Sequence, residues 1–178
     1  MLSIIENSKN RVIDLGEMKG RLRILHNNED DYIGAIIDNA TDIVERLTGR
    51  SILMKKYRYI SNTSTDNDCI QYIEIPNIPF VRIETIRRIY EGDRFEDIKD
   101  YEVDYKYGRV TISTYNLNVP IEITYISGFT DDPREVPLDL KLAIMMIVEK
   151  IYNCSDENLL SSTYIKHIID NYKTVSIM

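Results

Sequence analysis

The residues able to do chemistry are few and scattered along this chain. His26 and His167 are its only histidines, near opposite ends. Neither belongs to an H-E-x-x-H pair, and neither stands at ligand spacing from Cys69 or Cys154, so the pattern of a zinc site is missing. Glu29-Asp30-Asp31 is a compact acidic run. Three acids at the start of a helix answer its exposed N–H groups and the positive end of its dipole, and that reading outweighs a metal cluster. Asp66-Asn67-Asp68 begins like a calcium loop but lacks the glycine turn and the distal glutamate. The seven glycines form neither G-x-G-x-x-G nor a Walker loop. Ser127-Gly128 is not a G-x-S-x-G elbow, so Ser127 reads as a strand-end residue. Arg82, Arg87, Arg88 and Arg94 make the densest basic patch. Glu84, Glu91, Asp93, Glu96 and Asp97 interleave with them, which predicts a salt-bridged strand surface rather than a grip on nucleic acid. No catalytic, cofactor-binding or metal site is expected, and no enzyme.

The elements that must carry these residues follow from composition and periodicity. The chain has 178 residues, 43% hydrophobic and 29% charged, enough for one domain with a real core. Its longest apolar run, Ala143 to Val148, is far short of the roughly 18 residues a membrane span needs. MLSIIENSKN lacks the basic-then-apolar order of a secretory signal, so neither membrane insertion nor export is expected. The two cysteines read by default as free thiols in a reducing cytoplasm, a disulfide remaining open. The charge of −7 (22 Lys and Arg against 29 Asp and Glu) suits solubility. It also disfavours holding DNA, while like-charge walls would let a polyanion slide past.

Three stretches follow one another: helical over 14–50, β-rich over 51–129, helical over 137–172, with a tail at 173–178. Asp14 and Glu17 fit a capping box opening a helix to about Leu25, with Met18, Leu22 and Leu25 on one face. From Asn28, read as an N-cap, a longer helix places Ile33, Ile36, Ile37, Ala40, Ile43, Val44 and Leu47 on one face. Gly49 ends it in a left-handed conformation, with Arg46 and Arg50 near its negative end.

Beyond Ile52 the period becomes two. Strands are expected around Tyr57 and Tyr59, over Ile70–Ile75, Val81–Tyr90, Tyr101–Tyr105, Val110–Ile112 and Ile121–Tyr125. Pro76-Asn77-Ile78-Pro79, Glu91-Gly92-Asp93 and Lys106-Tyr107-Gly108-Arg109 interrupt them as breaker and turns. Short turns imply a mainly antiparallel sheet with one wet face. Pro137 suits the first turn of a helix to about Tyr152 whose middle, Leu142–Val148, is apolar on every side and must be covered on every side. A last helix, about Asn158 to Tyr172, shows Leu160, Tyr164, Ile168 and Tyr172 as a stripe. The fold class is therefore α+β: an N-terminal helix pair, a central mainly antiparallel β region and C-terminal helices.

The order of these landmarks resembles the head–tail connector, or adaptor, proteins of tailed bacteriophages and gene transfer particles. It begins with Leu22-Arg23-Ile24, then Glu29-Asp30-Asp31 opening a helix that closes Val44-Glu45-Arg46-Leu47-Thr48-Gly49-Arg50. It continues with Ile75-Pro76, Pro79, Val81, Asp100-Tyr101, Ile123-Thr124-Tyr125 and Gly128, then Val136-Pro137 before an apolar helix ending Ile151-Tyr152. Asn153-Cys154-Ser155 departs from the arginine the family often has there. The resemblance implies a structural virion protein at the head–tail interface, assembled in the bacterial cytoplasm. It implies a homo-oligomeric ring beneath a portal protein, which meets a tail or stopper protein and extends the DNA channel without sequence-specific binding. Leu142, Met145, Met146 and Glu149 are the expected oligomer interface, and Val175, Ile177 and Met178 the expected portal-docking tail. The rival reading is a phage- or prophage-encoded module that binds a host protein.

Overall fold

The computed structural model describes residues 1–61, 70–92, 94–105, 107–113, 119–154 and 162–173. The chain forms two compact units, each drawn from two separated stretches: a β unit of residues 1–7 and 54–128, and a helical unit of residues 8–53 and 129–178. The class is α+β, with helices on both sequence flanks of an antiparallel β region, as expected.

In the β unit the strands are β1 (Leu2–Glu6), β2 (Lys55–Ser61), β3 (Ile70–Glu74), β4 (Phe80–Tyr90), β5 (Arg94–Asp97), β6 (Tyr101–Asp104), β7 (Arg109–Ser113) and β8 (Ile121–Ser127). They make two antiparallel sheets, ordered β1-β2-β8-β4-β5 and β3-β7-β6, in place of the single sheet expected. Both sheets feed one core. Tyr57, Ile86, Ile121, Ile123 and Tyr125 from the larger sheet and Ile73, Val110 and Ile112 from the smaller cluster together, buried. Tyr57 and Tyr125 stack at 5.4 Å between ring centroids. The Tyr125 hydroxyl donates to the Pro76 carbonyl at 2.8 Å, and burial drives its phenol pKa far above the ordinary range.

That bond is one of several fixing the Pro76–Pro79 breaker. Ser127, buried at the end of β8, donates its hydroxyl to the Pro79 carbonyl at 2.8 Å, and the Gly128 N–H reaches the same oxygen at 2.9 Å. Ser127 is thus a strand-end residue holding a loop. Opposite, Gly108 takes φ 62°, and a Cβ there would come within 2.9 Å of Ile78 Cγ2, so the expected hairpin turn requires glycine.

In the helical unit the helices are α1 (Leu15–Leu22), α2 (Asp30–Thr48), α3 (Leu138–Tyr152) and α4 (Thr163–Tyr172). The Asp14 carboxylate accepts the Glu17 N–H at 3.1 Å, as a cap should. α1 stops earlier than expected because Arg23 turns left-handed (φ 60°) and its N–H bonds back to Gly20. Leu25 consequently leaves the face shared by Met18 and Leu22 and stands 99% exposed. The N-cap of α2 is Glu29, not Asn28, because the turn closed by the Asp30 N–H on the Asn27 carbonyl delays the helix.

α3 packs against both α2 and α4. Ala143, Ile144, Ile147 and Val148 are fully buried there, joined by Ile33, Ile37 and Ala40 of α2 and by Ile165, Ile168 and Ile169 of α4. Two helical neighbours thus account for most of its all-round apolar character. On α4 the buried face is Ile165, Ile168 and Ile169 with half-buried Tyr172. Tyr164 is exposed instead of belonging to the stripe, and Leu160 lies outside the described residues. Among the described residues no helix is long and apolar enough to cross a membrane.

Candidate functional site

The segment Val44–Arg50 assembles the end of α2 from the backbone outward. Thr48, buried, donates its hydroxyl to the Val44 carbonyl at 2.8 Å. Gly49 takes φ 67° and sends its N–H to the Glu45 carbonyl, which also receives the Arg50 N–H at 3.2 Å. The Glu45 side chain, 9% exposed, accepts the Ile52 N–H at 2.8 Å, so the chain leaving the helix keeps a hydrogen bond it would otherwise lose on burial.

Arg50 then reaches across the helical unit. Its Nε donates to the Tyr172 carbonyl at the end of α4, and its guanidinium lies 5.8 Å from the centroid of the Phe129 ring. Phe129 meets Tyr172 edge-on, and the Tyr172 hydroxyl donates to Asp139 in the first turn of α3 at 2.9 Å. Burial lowers the Arg50 pKa from its usual value, yet an arginine stays charged. Of the two cations expected near the negative end of α2, Arg46 lies in its last turn, while the Arg50 side chain serves α4 instead. One arginine therefore ties together the exit of α2, the end of α4 and, through Tyr172, the start of α3.

The acidic run at the start of α2 is divided among separate partners. Glu29 accepts the Tyr152 hydroxyl at 2.6 Å, which raises the Tyr152 pKa, while Asp30 pairs with Lys19 at 2.6 Å. Among the described residues no group of His, Cys, Asp and Glu could hold a metal ion. His26 and His167 are exposed, and Cys154 is a free, exposed thiol. Cys69 and Asp66-Asn67-Asp68 lie outside the described residues.

The basic patch is the salt-bridged surface that interleaved charges predict. Arg87 pairs with Asp97 at 3.0 Å, Arg88 with Glu96 at 3.3 Å and Arg82 with Glu84 at 3.6 Å. Lys56 also contacts Glu84, and together they hold that carboxyl below its ordinary pKa. The Tyr90 hydroxyl and Arg88 do the same for Glu96. Arg58 covers Glu122, which is only 6% exposed although it lies on the face expected to be wet. Asp93 lies outside the described residues.

Of the expected interface residues on α3, Met145 is buried in the core, while Leu142 and Met146 are half-buried. Glu149 is held by Arg21 through two bonds of 2.7 and 3.1 Å. One turn before Leu142, Leu138 is 79% exposed, so an apolar strip does reach the surface at the start of this helix. Val175, Ile177 and Met178 lie outside the described residues. Sequence reasoning missed a second surface, β1, where Leu2, Ile4 and Ile5 are all exposed. The adjacent isoleucines were the available signal.

Among the described residues the charged groups named above are engaged in caps and ion pairs, while Leu2, Ile4, Ile5 and Leu138 stay exposed. The chain belongs to the head completion protein family, whose family model matches residues 11–175. It is thereby a structural protein of the head–tail connection, the class its ordered landmarks resemble. No curated protein matches it in sequence. Solved structures share the fold. A chain in the neck of an empty gene transfer agent particle, computed with C6 symmetry, has a TM-score of 0.80 at 16% identity, covering 100% of this chain and 97% of that one. A chain in the virion of the native gene transfer agent particle matches with the same values. A chain in the native neck computed with C12 symmetry has a TM-score of 0.80 at 15% identity, with the same coverage.

Proposed function

We propose that this chain forms a homo-oligomeric ring beneath the portal, where it joins head to tail and extends the DNA channel. The observation that carries the reading is the match to the head completion family over residues 11–175. The six- and twelvefold symmetry of the necks that hold chains of this fold supports a ring. The chemistry agrees. A net charge of −7, with Arg82, Arg87 and Arg88 neutralised by neighbouring carboxylates, suits a wall that DNA slides past without sequence-specific contact. In this reading Leu142, Met146 and Glu149, extended by Leu138, face the next subunit, with Met145 supporting them from the core. Val175, Ile177 and Met178 dock on the portal, and a tail or stopper protein takes the far side. The ring resides in the virion at the head–tail interface.

Electron microscopy of the purified chain mixed with portal-bearing heads tests the proposal directly. Rings at the portal vertex are the expected result. A protein that stays monomeric and never associates with portal would sink the reading.

A further inference from the structure

The outer margin of the five-stranded sheet is an open edge. The Ile60 N–H donates to the Met1 carbonyl at 2.8 Å, and the Met1 nitrogen donates to the Ile60 carbonyl, which makes these two a hydrogen-bonded pair. Antiparallel ladders alternate, so Ser3–Arg58 is the next such pair, while Leu2–Tyr59 and Ile4–Tyr57 are the non-bonded pairs between. The N–H and C=O groups of Leu2 and Ile4 therefore point away from β2. No strand among the described residues meets them. Leu2 and Ile4 share one face, that of Tyr57 and Tyr59, and are 40% and 51% exposed. Natural sheets blunt such margins with charge, lysine or proline. β5, at the other margin, does so with Arg94, Glu96 and Asp97. β1, Leu-Ser-Ile-Ile-Glu, keeps its only charge for its last residue.

We propose that β1 pairs across a two-fold axis with β1 of a second copy, joining two five-stranded sheets into one. The strand is complementary to itself. With Ser3 opposite Ser3 of the second copy, each Leu2 faces an Ile4. The outward N–H and C=O groups of those residues meet in register, giving four hydrogen bonds. The two Leu–Ile pairs lie on one face and the serines on the other, and Glu6 falls beyond the paired stretch, so no like charges are opposed. Pairing with β5 of a second copy would instead set these apolar side chains beside Arg94, Glu96 or Asp97. A lone strand pair buries less than the ~1,000 Å² of a stable interface, so the dimer is reversible. A two-fold contact does not close a ring, so this pairing is independent of the ring proposed above and fails or stands separately.

The test places cysteine at the axis. In the full chain carrying Cys69→Ser and Cys154→Ser, Ser3→Cys brings two thiols into a non-hydrogen-bonded pair with Cβ atoms about 4.5–5.5 Å apart. Mild oxidation should trap most of the Ser3→Cys chain as a covalent dimer and little of a Glu6→Cys control. Native mass spectrometry of the unaltered chain should show a dimer fraction that rises with concentration. Leu2→Lys with Ile4→Lys should abolish it while leaving the circular dichroism and melting temperature unchanged. Equal crosslinking of Ser3→Cys and Glu6→Cys, a monomer at every concentration, or a dimer that survives the double lysine change would each overturn the proposal.

Discussion

α3 and β1 are both apolar segments, and they meet opposite fates. α3 lies between α2 and α4, and Ala143, Ile144, Ile147 and Val148 lose all contact with solvent. β1 has one neighbouring strand among the described residues, and all five of its residues are exposed. Apolar content therefore does not by itself distinguish core from interface; the number of elements that arrive to cover a segment does. An interior position is stabilised by every side chain around it, whereas an edge position contributes little until a partner comes.

The sharpest way to break this contrast is to delete equal volumes from the two segments. Ile144→Ala opens a cavity among α2, α3 and α4 and should cost about 2–5 kcal/mol, read as a lower melting temperature or denaturation midpoint. Ile4→Ala removes the same atoms from an exposed edge and should stay within about 0.5 kcal/mol in dilute protein. Comparable losses would mean that β1 is already covered.

A second change asks what holds α2 in place for α3 to pack on. Glu45→Ala leaves the Ile52 N–H buried without its acceptor and should destabilise the fold by about 1–3 kcal/mol in chemical denaturation. Glu45→Gln keeps an acceptor oxygen and should recover most of that loss. If alanine and glutamine behave alike, the charge of Glu45 matters more than the bond.

A third pair of changes separates stability from assembly. Leu138→Lys and Leu142→Asp alter side chains that keep contact with solvent, so each should move the melting temperature of the free chain by a degree or two. Each should nonetheless prevent ring formation on portal, scored by electron microscopy. Rings that form normally would remove this strip from the interface.

What was legible in the sequence follows the same contrast. α2 could be read because one face is buried and the other wet, which writes a 3.6-residue period. β6 could be read because Val103 turns inward between exposed Tyr101, Glu102 and Asp104. β1 could not, since a strand exposed on both faces writes no alternation, and neither could β5, Arg-Phe-Glu-Asp, whose single apolar residue, Phe95, is itself exposed. β8 misled in the opposite direction. Glu122 and Thr124 alternate with Ile121, Ile123 and Tyr125 as if one face were wet, yet Arg58 covers Glu122 and both polar residues are buried. The Asn28 and Leu25 expectations failed for a local reason, because a left-handed residue and one extra turn decide where a helix ends or starts. The Gly49 exit of α2 was readable directly, since a left-handed helix end needs no tertiary knowledge. Which apolar surface meets which partner was not, because a partner leaves no periodicity in a single chain.

The smallest expected effect concerns how α3 is begun. Asp132 caps the short 3-10 turn Pro133–Glu135 that leads into α3, accepting the Arg134 N–H at 2.9 Å and pairing with its guanidinium at 2.7 Å. Those bonds lower the Asp132 pKa from 3.8 to about 2. A carboxylate whose pKa falls on folding stabilises the fold above its unfolded pKa and loses that contribution as pH drops through its folded value. The contribution of Asp132 is thus complete above about pH 4 and gone below about pH 2. Because the pair is largely exposed, water and salt screen it and the effect is small. Melting curves of the natural chain and Asp132→Asn should therefore run slightly apart at neutral pH, converge between pH 4 and 2, and draw closer at high salt. A gap as large as that of Ile144→Ala would show that the turn, rather than burial between α2 and α4, holds α3 in place.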